Sequence, residues 1–118
     1  MTPAESTVQK AWHEAMAALY RPESRSSTDQ VLARVLQHYR EPHRHWHTAS
    51  HIAAMIDQLK KWHTTPSPEL LLATIYHDVI YEPGFSTNEA RSAELADKDL
   101  ASLGVPVASR TRICRMIL

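Results

Sequence analysis

Three observations predict an all-α fold, a bundle of about six helices. The chain has 118 residues, which is enough for one hydrophobic core and too few for two. It contains only two glycines, which argues against a turn-rich β fold and against a glycine-rich phosphate loop. Apolar residues recur with the helical period in segments that polar or proline-containing stretches separate. We therefore expect a single helical domain over residues 1–118.

The first two segments are predicted to be amphipathic helices. Residues 7–19 carry an apolar stripe behind Ser6 or Thr7 as N-cap, and residues 28–39 carry a second stripe. The polar stretch 20–27 between them is predicted to be a loop. The stripes consist of Val8, Trp12, Ala15, Met16 and Leu19 in the first helix and of Val31, Leu32, Val35, Leu36 and Tyr39 in the second.

The third and fourth segments carry histidines on predicted helices. The third helix is expected from about His47 to Trp62, and there His47 and His51 continue an i, i+4 row of apolar residues, so both should point towards the core. The fourth helix is expected over residues 69–81 and is apolar almost all round, which is typical of a central, buried helix. The His77-Asp78 dipeptide should lie in its last turn.

Two further helices are predicted after Pro83-Gly84. Ser86-Thr87-Asn88-Glu89 has the pattern of a capping box that opens a fifth helix, for which Gly104 is the C-terminal stop. Pro106 can start a sixth helix over residues 107–118.

Charge and composition exclude several classes of partner. Lys plus Arg equal Asp plus Glu at 13 each, so no overall field favours a nucleic-acid polymer or an anionic membrane. No apolar run approaches the roughly 18 residues that span a bilayer. Cys114 is the single cysteine and the first residues lack a signal peptide's pattern, so we expect a cytoplasmic protein without disulfides.

The histidines and the His-Asp dipeptide are the candidate functional residues. Imidazoles and a carboxylate on core-facing surfaces are costly to bury unless a partner satisfies them, and a divalent ion can be that partner. His51, His77 and Asp78 together offer mixed nitrogen and oxygen ligands with open positions, which suits a catalytic Zn, Mn, Fe, Co, Ni or Mg site. The alternative is that these groups are hydrogen-bonded core residues.

Two more residues are candidates from position alone. Arg44 lies three residues before His47 and could hold a phosphate oxygen, or it could pair with Glu41 as a surface arginine. Glu82 follows Asp78 by one helical turn and could orient an attacking water, or it could be an ordinary loop carboxylate.

Several sequence blocks in order resemble the HD-domain superfamily, in particular its bacterial branch of predicted metal-dependent phosphohydrolases. The resemblance covers most of residues 31–104. The blocks are YREPHRHWH at 39–47, HI at 51–52, YHDVIYEP at 76–83, NE at 88–89 and SAELA at 92–96.

The resemblance implies a role for each matched residue. In HD domains a histidine, the His-Asp doublet and a later aspartate hold the metal, so the implied ligands are His51, His77 and Asp78. The spacing of His47 to His51 is also similar to a motif of cyclic-nucleotide phosphodiesterases, in which the earlier histidine protonates the leaving group. His47 is therefore the implied general acid, with Trp46 in place of the usual tyrosine, and the matching block implies that Asn88 faces the site.

The final aspartate ligand of the family has no match in this chain. Asp97 and Asp99 fall in a segment that the family uses as a surface helix, so we expect them to be solvated charges. The chain is expected to be the N-terminal part of a longer domain, incomplete at its C-terminus.

The expected function is hydrolysis of a nucleotide or another small phosphorylated metabolite by a metal-activated water. A different class of function is a non-catalytic helical module that binds a metal or a nucleotide. A third expectation is an inactive domain that self-associates as a homodimer through its apolar C-terminal end, or a plain structural bundle.

Overall fold

Helices account for all of the regular structure in the described part of the chain. A computed structural model describes residues 1–19, 25–63 and 65–118. These residues form six helices and no strand, so the all-α prediction is confirmed. The helices are α1 (Pro3–Leu19), α2 (Arg25–Tyr39), α3 (Ala49–Trp62), α4 (Pro68–Tyr76), α5 (Asn88–Ser102) and α6 (Val107–Ile117).

Helix α1 begins earlier than predicted because a different residue caps it. The backbone N–H of Thr2 donates to Glu5 Oε1 at 2.9 Å, and the backbone N–H of Glu5 donates to Thr2 Oγ1 at 3.1 Å. This reciprocal pair is a capping box, with Pro3 as the first helical residue. The predicted cap at Ser6 or Thr7 is therefore wrong: both residues lie inside α1.

Glu5 also joins α1 to the end of α2. Its side chain is buried and accepts a hydrogen bond from Arg40 Nε. This hydrogen bond and that of the Thr2 backbone lower the pKa of the Glu5 carboxyl from 4.5 to about 2. Since the pKa is lower in the folded chain, the ionised carboxylate stabilises the fold above pH 4.5, and this contribution is lost as the pH falls towards 2.

We expect Glu5→Gln to lower the free energy of unfolding at pH 7 by about 1 kcal/mol, because the amide can keep the capping hydrogen bond but loses the negative charge that bonds to Arg40. The variant should also lose less stability than the wild type between pH 5 and 2, measured by urea unfolding at several pH values. Glu14→Gln, at a half-exposed carboxylate paired with Lys60, is the matched control. Equal acid sensitivity of wild type and Glu5→Gln would contradict the assignment.

Helix α4 is the centre of the bundle, as predicted. It packs against α1, α3, α5 and α6, and all six residues from Leu71 to Tyr76 are buried. Ser67 caps its first turn by accepting a hydrogen bond from the Leu70 backbone N–H. The side chain of Trp12 reaches across from α1 and contacts the ring of Tyr76, with 6.1 Å between the ring centroids. The core thus forms around α4, and the end of α4 is held firmly.

The predicted apolar stripes are confirmed in part. The five stripe residues of the second helix are all buried, whereas Leu19 at the end of the first is half-buried. Helix α2 begins at Arg25, so the end of the predicted loop is wrong; residues 20–24 of that loop lie outside the described residues.

Helix α3 differs from its prediction at both ends. It begins at Ala49 rather than His47, with Thr48 as N-cap, so His47 precedes the helix and the expected row of both histidines on one helix is wrong. At the other end, Trp62 was expected in the core and is 73% exposed. The side chain of His51 is 45% exposed. The prediction that both histidines point into the core is therefore wrong.

The fourth helix is shorter than predicted, and the fifth starts differently. Helix α4 ends at Tyr76, and residues 77–80 continue as turns. The N-cap of α5 is Thr87, whose side chain makes no capping hydrogen bond, so the predicted capping box is wrong. Gly104, with φ of 84°, does end α5, because the left-handed conformation lets Val105 N–H bond to Leu100 O at 3.0 Å.

None of the helices in residues 1–19, 25–63 and 65–118 has the length and apolar character needed to cross a membrane.

Candidate metal centre

The candidate site forms where two non-helical segments meet. One segment precedes α3 and carries His47, and the other follows α4 and carries His77 and Asp78. His51 joins them from the first turn of α3. The early end of α4 is what makes this possible, because adjacent residues in the middle of a helix point about 100° apart.

Asp78 Oδ2 is the atom around which the three imidazoles gather. It lies 2.9 Å from His47 Nδ1, 3.3 Å from His77 Nε2 and 4.0 Å from His51 Nε2. A carboxylate oxygen only accepts hydrogen bonds, so His47 Nδ1 carries the proton in this contact. The arrangement brings together all three predicted ligands and the predicted acid.

A backbone carbonyl decides which nitrogen of His77 is available. His77 Nδ1 lies 2.7 Å from the Thr74 carbonyl oxygen, and since a carbonyl cannot donate, Nδ1 carries the proton. In the neutral ring Nε2 then presents a lone pair to the Asp78 carboxylate, 3.3 Å away. Two lone pairs at this distance repel each other, so a positive species, either a proton or a metal ion, is favoured between them.

The pKa values of Asp78 and His77 are shifted in the directions that favour a positive charge between them. Burial by itself would raise the pKa of the Asp78 carboxyl, but hydrogen bonds and charges from His77 and His47 outweigh it and lower the pKa well below its ordinary range. Burial lowers the pKa of His77, but the hydrogen bonds to Asp78 and to the Thr74 carbonyl outweigh that effect and raise it. The site holds an ionised carboxylate beside an imidazole that readily takes up a proton.

The ligand atoms lie close enough to share one ion. One nitrogen each of His51 and His77 and one oxygen of Asp78 lie within 4.8 Å of one another. The side chains of His77 and Asp78 are 26% and 19% exposed, and that of His51 is 45% exposed. An ion held here would therefore keep coordination positions open to solvent, unlike an ion in a closed structural site.

His47 lies beside the three ligands and contacts Asp78 through Nδ1. It stacks on Tyr81, with ring centroids 4.1 Å apart and planes at 26°, and makes an edge-to-face contact with the ring of His51. It also lines an open cleft of about 500 Å³ together with His51 and the 82%-exposed Trp46. Because Nδ1 is bound to Asp78, Nε2 is the nitrogen left to exchange a proton with a molecule in this cleft.

Arg44 is buried and does not present its guanidinium to the cleft. Nε donates to Glu41, Nη1 donates to the carbonyls of His47 and Asp78, and Nη2 donates to the carbonyl of Val79, at 2.7–2.9 Å. The predicted pairing with Glu41 is present, but the expected surface position of Arg44 is wrong. The predicted phosphate-binding role does not fit this geometry, because protein oxygens already occupy the guanidinium.

Glu82 and Asn88 are tied to each other. The Glu82 backbone N–H donates to Asn88 Oδ1 at 3.1 Å, and Asn88 Nδ2 donates to the Glu82 carbonyl at 2.9 Å. Asn88 thus closes the loop between α4 and α5, and the exposed Glu82 side chain has no contact with the histidines among the described interactions. These positions favour structural roles over the predicted water-orienting and substrate-binding ones.

The two aspartates of α5 differ from each other. Asp97 accepts a hydrogen bond from Arg110 Nη1 at 2.8 Å, as a surface ion pair. Asp99 is half-buried and accepts a hydrogen bond from the buried Tyr76 hydroxyl at 3.0 Å, and burial raises the pKa of its carboxyl. The prediction that both are solvated charges is therefore wrong for Asp99. Neither is part of the ligand cluster found in the described residues.

Three contributors to the site were missed from the sequence. Tyr81 supplies the ring under His47, the Thr74 carbonyl orients His77, and Ser92 Oγ bonds the backbone N–H of Ile80 at 3.1 Å, which holds the segment after α4. Tyr81 and Ser92 both lie in the blocks that resemble HD domains, and that position was the available signal. A backbone carbonyl such as that of Thr74 leaves no signal in a sequence.

Comparison of the chain with protein-family models, curated proteins and solved structures found no match.

Proposed function

We propose that this protein is a metal-dependent phosphohydrolase acting on a nucleotide or another small phosphorylated metabolite, with His51, His77 and Asp78 as ligands. The observation that carries the proposal is the pair of lone pairs at His77 Nε2 and Asp78 Oδ2. A proton can bridge only these two atoms, whereas a divalent cation can also bind the nitrogen of His51 that lies within 4.8 Å of both. The resemblance of the site-bearing blocks to HD domains supports the same ligand set.

The donor set favours a particular group of ions. Two imidazoles and one carboxylate suit Mn, Fe, Co, Ni or Zn, whereas Mg prefers oxygen ligands and several waters. The hydrogen bond from His77 Nδ1 to Thr74 fixes the ring in the tautomer that binds metal, as outer partners of metal-bound histidines commonly do. When bound, such an ion lowers the pKa of a coordinated water and polarises a phosphoryl oxygen.

His47 and Asp78 can manage the protons of hydrolysis. The water oxygen bonds to phosphorus while the bond from phosphorus to the leaving oxygen breaks. His47 gives a proton from Nε2 to the leaving oxygen, and Asp78, which contacts His47 Nδ1 at 2.9 Å, keeps the imidazole oriented. The proton that the water loses passes to solvent and His47 regains a proton from solvent, so the site returns to its starting charge.

We expect His47→Gln to reduce kcat by roughly 10²–10⁴-fold, the usual contribution of a general acid. Phosphate release would be measured with Mn²⁺, Co²⁺ or Zn²⁺ on nucleoside phosphates and sugar phosphates. Saturating metal is needed, because His47 contacts a ligand and its loss can weaken metal binding about 10–100-fold. His63→Gln, at an exposed histidine outside the site, is the control.

Two outcomes would contradict the hydrolase proposal. One is turnover that persists after chelation or is equal in wild type and His47→Gln. The other is metal binding without turnover of any phosphoester in the panel, which would indicate a non-catalytic metal-binding module instead.

The compartment and the assembly are parts of the same proposal. Cys114 is a free, half-buried cysteine, and burial raises the pKa of its thiol, so nothing in it requires an oxidising compartment. We propose a cytoplasmic location. A homodimer stays a prediction.

A further inference from the structure

Arg44 connects two segments that are far apart in the sequence. Its Nη1 donates both to the carbonyl of His47, at 2.9 Å, and to the carbonyl of Asp78, at 2.7 Å. Its Nη2 donates to Val79 O, also at 2.7 Å. The first two carbonyls belong to the two residues whose side chains meet at 2.9 Å. One guanidinium nitrogen therefore sets the backbone positions on both sides of that contact.

The rest of the Arg44 side chain is fixed as well. The guanidinium lies over the ring of Tyr39, 5.0 Å from its centroid, and 5.8 Å from the centroid of the Tyr81 ring. Tyr81 in turn stacks on His47. Glu41 accepts from Nε and lies 2.9 Å from Nη2, so the buried positive charge has a carboxylate partner.

From these contacts we infer that Arg44 is the positioning residue of the site, which holds His47 and Asp78 in register through their backbones. The inference rests on the proposed function for the roles of those two residues. Only arginine offers planar, divergent donors that reach several carbonyls at once; a lysine ammonium is a compact point charge on a flexible stem. Arg44→Lys keeps the charge and removes this geometry.

Two readouts separate positioning from general stability. The first is the ¹H–¹⁵N signal of the His47 Nδ1–H bonded to Asp78, recorded by NMR without metal and assigned by its loss in His47→Gln. The second is the Kd for Mn²⁺ or Zn²⁺ under conditions in which each variant is folded. Leu100→Ala, at a fully buried core residue of α5, is a destabilising control outside the Arg44 contacts.

We expect Arg44→Lys to lose the imidazole signal and to weaken metal binding about 10–100-fold, as loss of an outer partner does. Leu100→Ala should keep the signal and bind metal within about twofold of the wild type, since its site is intact. Arg44→Met is the second variant, and it should behave as Arg44→Lys does.

The inference is overturned if the folded Arg44→Lys protein keeps both the signal and the metal affinity, or if Leu100→Ala loses both to the same extent. Failure of the proposed function gives a different pattern. In that case the wild type binds no metal, while the imidazole signal is still lost in Arg44→Lys and kept in Leu100→Ala, which supports the positioning role alone.

Discussion

Replacing Asp78 by asparagine is expected to weaken binding of Mn²⁺ or Zn²⁺ by more than about 100-fold and to remove metal-dependent phosphate release. The substituted amide would keep the shape of the side chain but lose the negative charge that faces all three imidazoles. Loss of an outer partner of a metal ligand already weakens binding about 10–100-fold, and loss of a ligand should exceed that. Asp57→Asn, at an exposed position of α3, is the control and should resemble the wild type.

The same substitution should change how stability depends on pH. Asp78 helps to raise the pKa of His77 above its ordinary value of 6.5. Protonated His77 therefore stabilises the metal-free fold below pH 6.5, and this contribution is lost as the pH rises through the folded-state pKa. In Asp78→Asn that dependence should weaken, as urea unfolding across this range would measure. Unchanged metal binding and an unchanged pH profile would contradict the assignment of Asp78.

Leu72→Ala is expected to lower the free energy of unfolding by about 2–5 kcal/mol, a large loss for a single substitution. Leu72 is fully buried in α4, the helix that packs on four others. Truncation there removes apolar contacts from the centre of the bundle and leaves a cavity that the surrounding helices cannot easily fill.

Leu70→Ala provides a matched control on the same helix. Leu70 is half-buried, so its truncation should lower the free energy of unfolding by about 1–2 kcal/mol. Guanidinium chloride unfolding of the two variants measures the difference. Equal losses in Leu70→Ala and Leu72→Ala would contradict the central position of α4.

Most of the fold follows from the helical period of apolar residues. That period predicted six helices and the central position of α4, because burial of an apolar face depends on pattern alone. It failed at the helix ends, because local hydrogen bonds determine the residue at which a helix begins or stops. Thr2 and Glu5 start α1 before its apolar stripe begins, and the bond of Asn88 to the Glu82 backbone replaces the predicted capping box.

The sequence predicted which residues form the candidate site but not how they are arranged. The sequence indicated His51, His77 and Asp78 as a group, and the structure places their ligand atoms together. It could not indicate that α4 stops at Tyr76, since the apolar pattern continues to Tyr81. Arg44 bonds to backbone carbonyls 34 and 35 residues away, and such contacts leave no periodic signal.

The solvent exposure of individual side chains was the property that the period of apolar residues predicted least well. Trp62 continues the apolar face of α3 in the sequence, yet it lies in the last turn and is 73% exposed. The side chain of His51 likewise precedes a buried stripe, but it is exposed to solvent. An apolar or ambivalent residue at a helix terminus has fewer packing neighbours than the period alone implies.

Direct measurement of metal binding to the wild-type chain tests the central claim, that a cation binds between the side chains of His77 and Asp78. Titration with Mn²⁺ or Zn²⁺, followed calorimetrically at several pH values, measures both stoichiometry and proton release. We predict one ion per chain, with an affinity that falls about tenfold for each pH unit below the pKa of His77, because proton and metal compete for Nε2. Two results would contradict this claim: a wild-type chain that binds no ion, or an Asp78→Asn variant that binds the ion as tightly as the wild type.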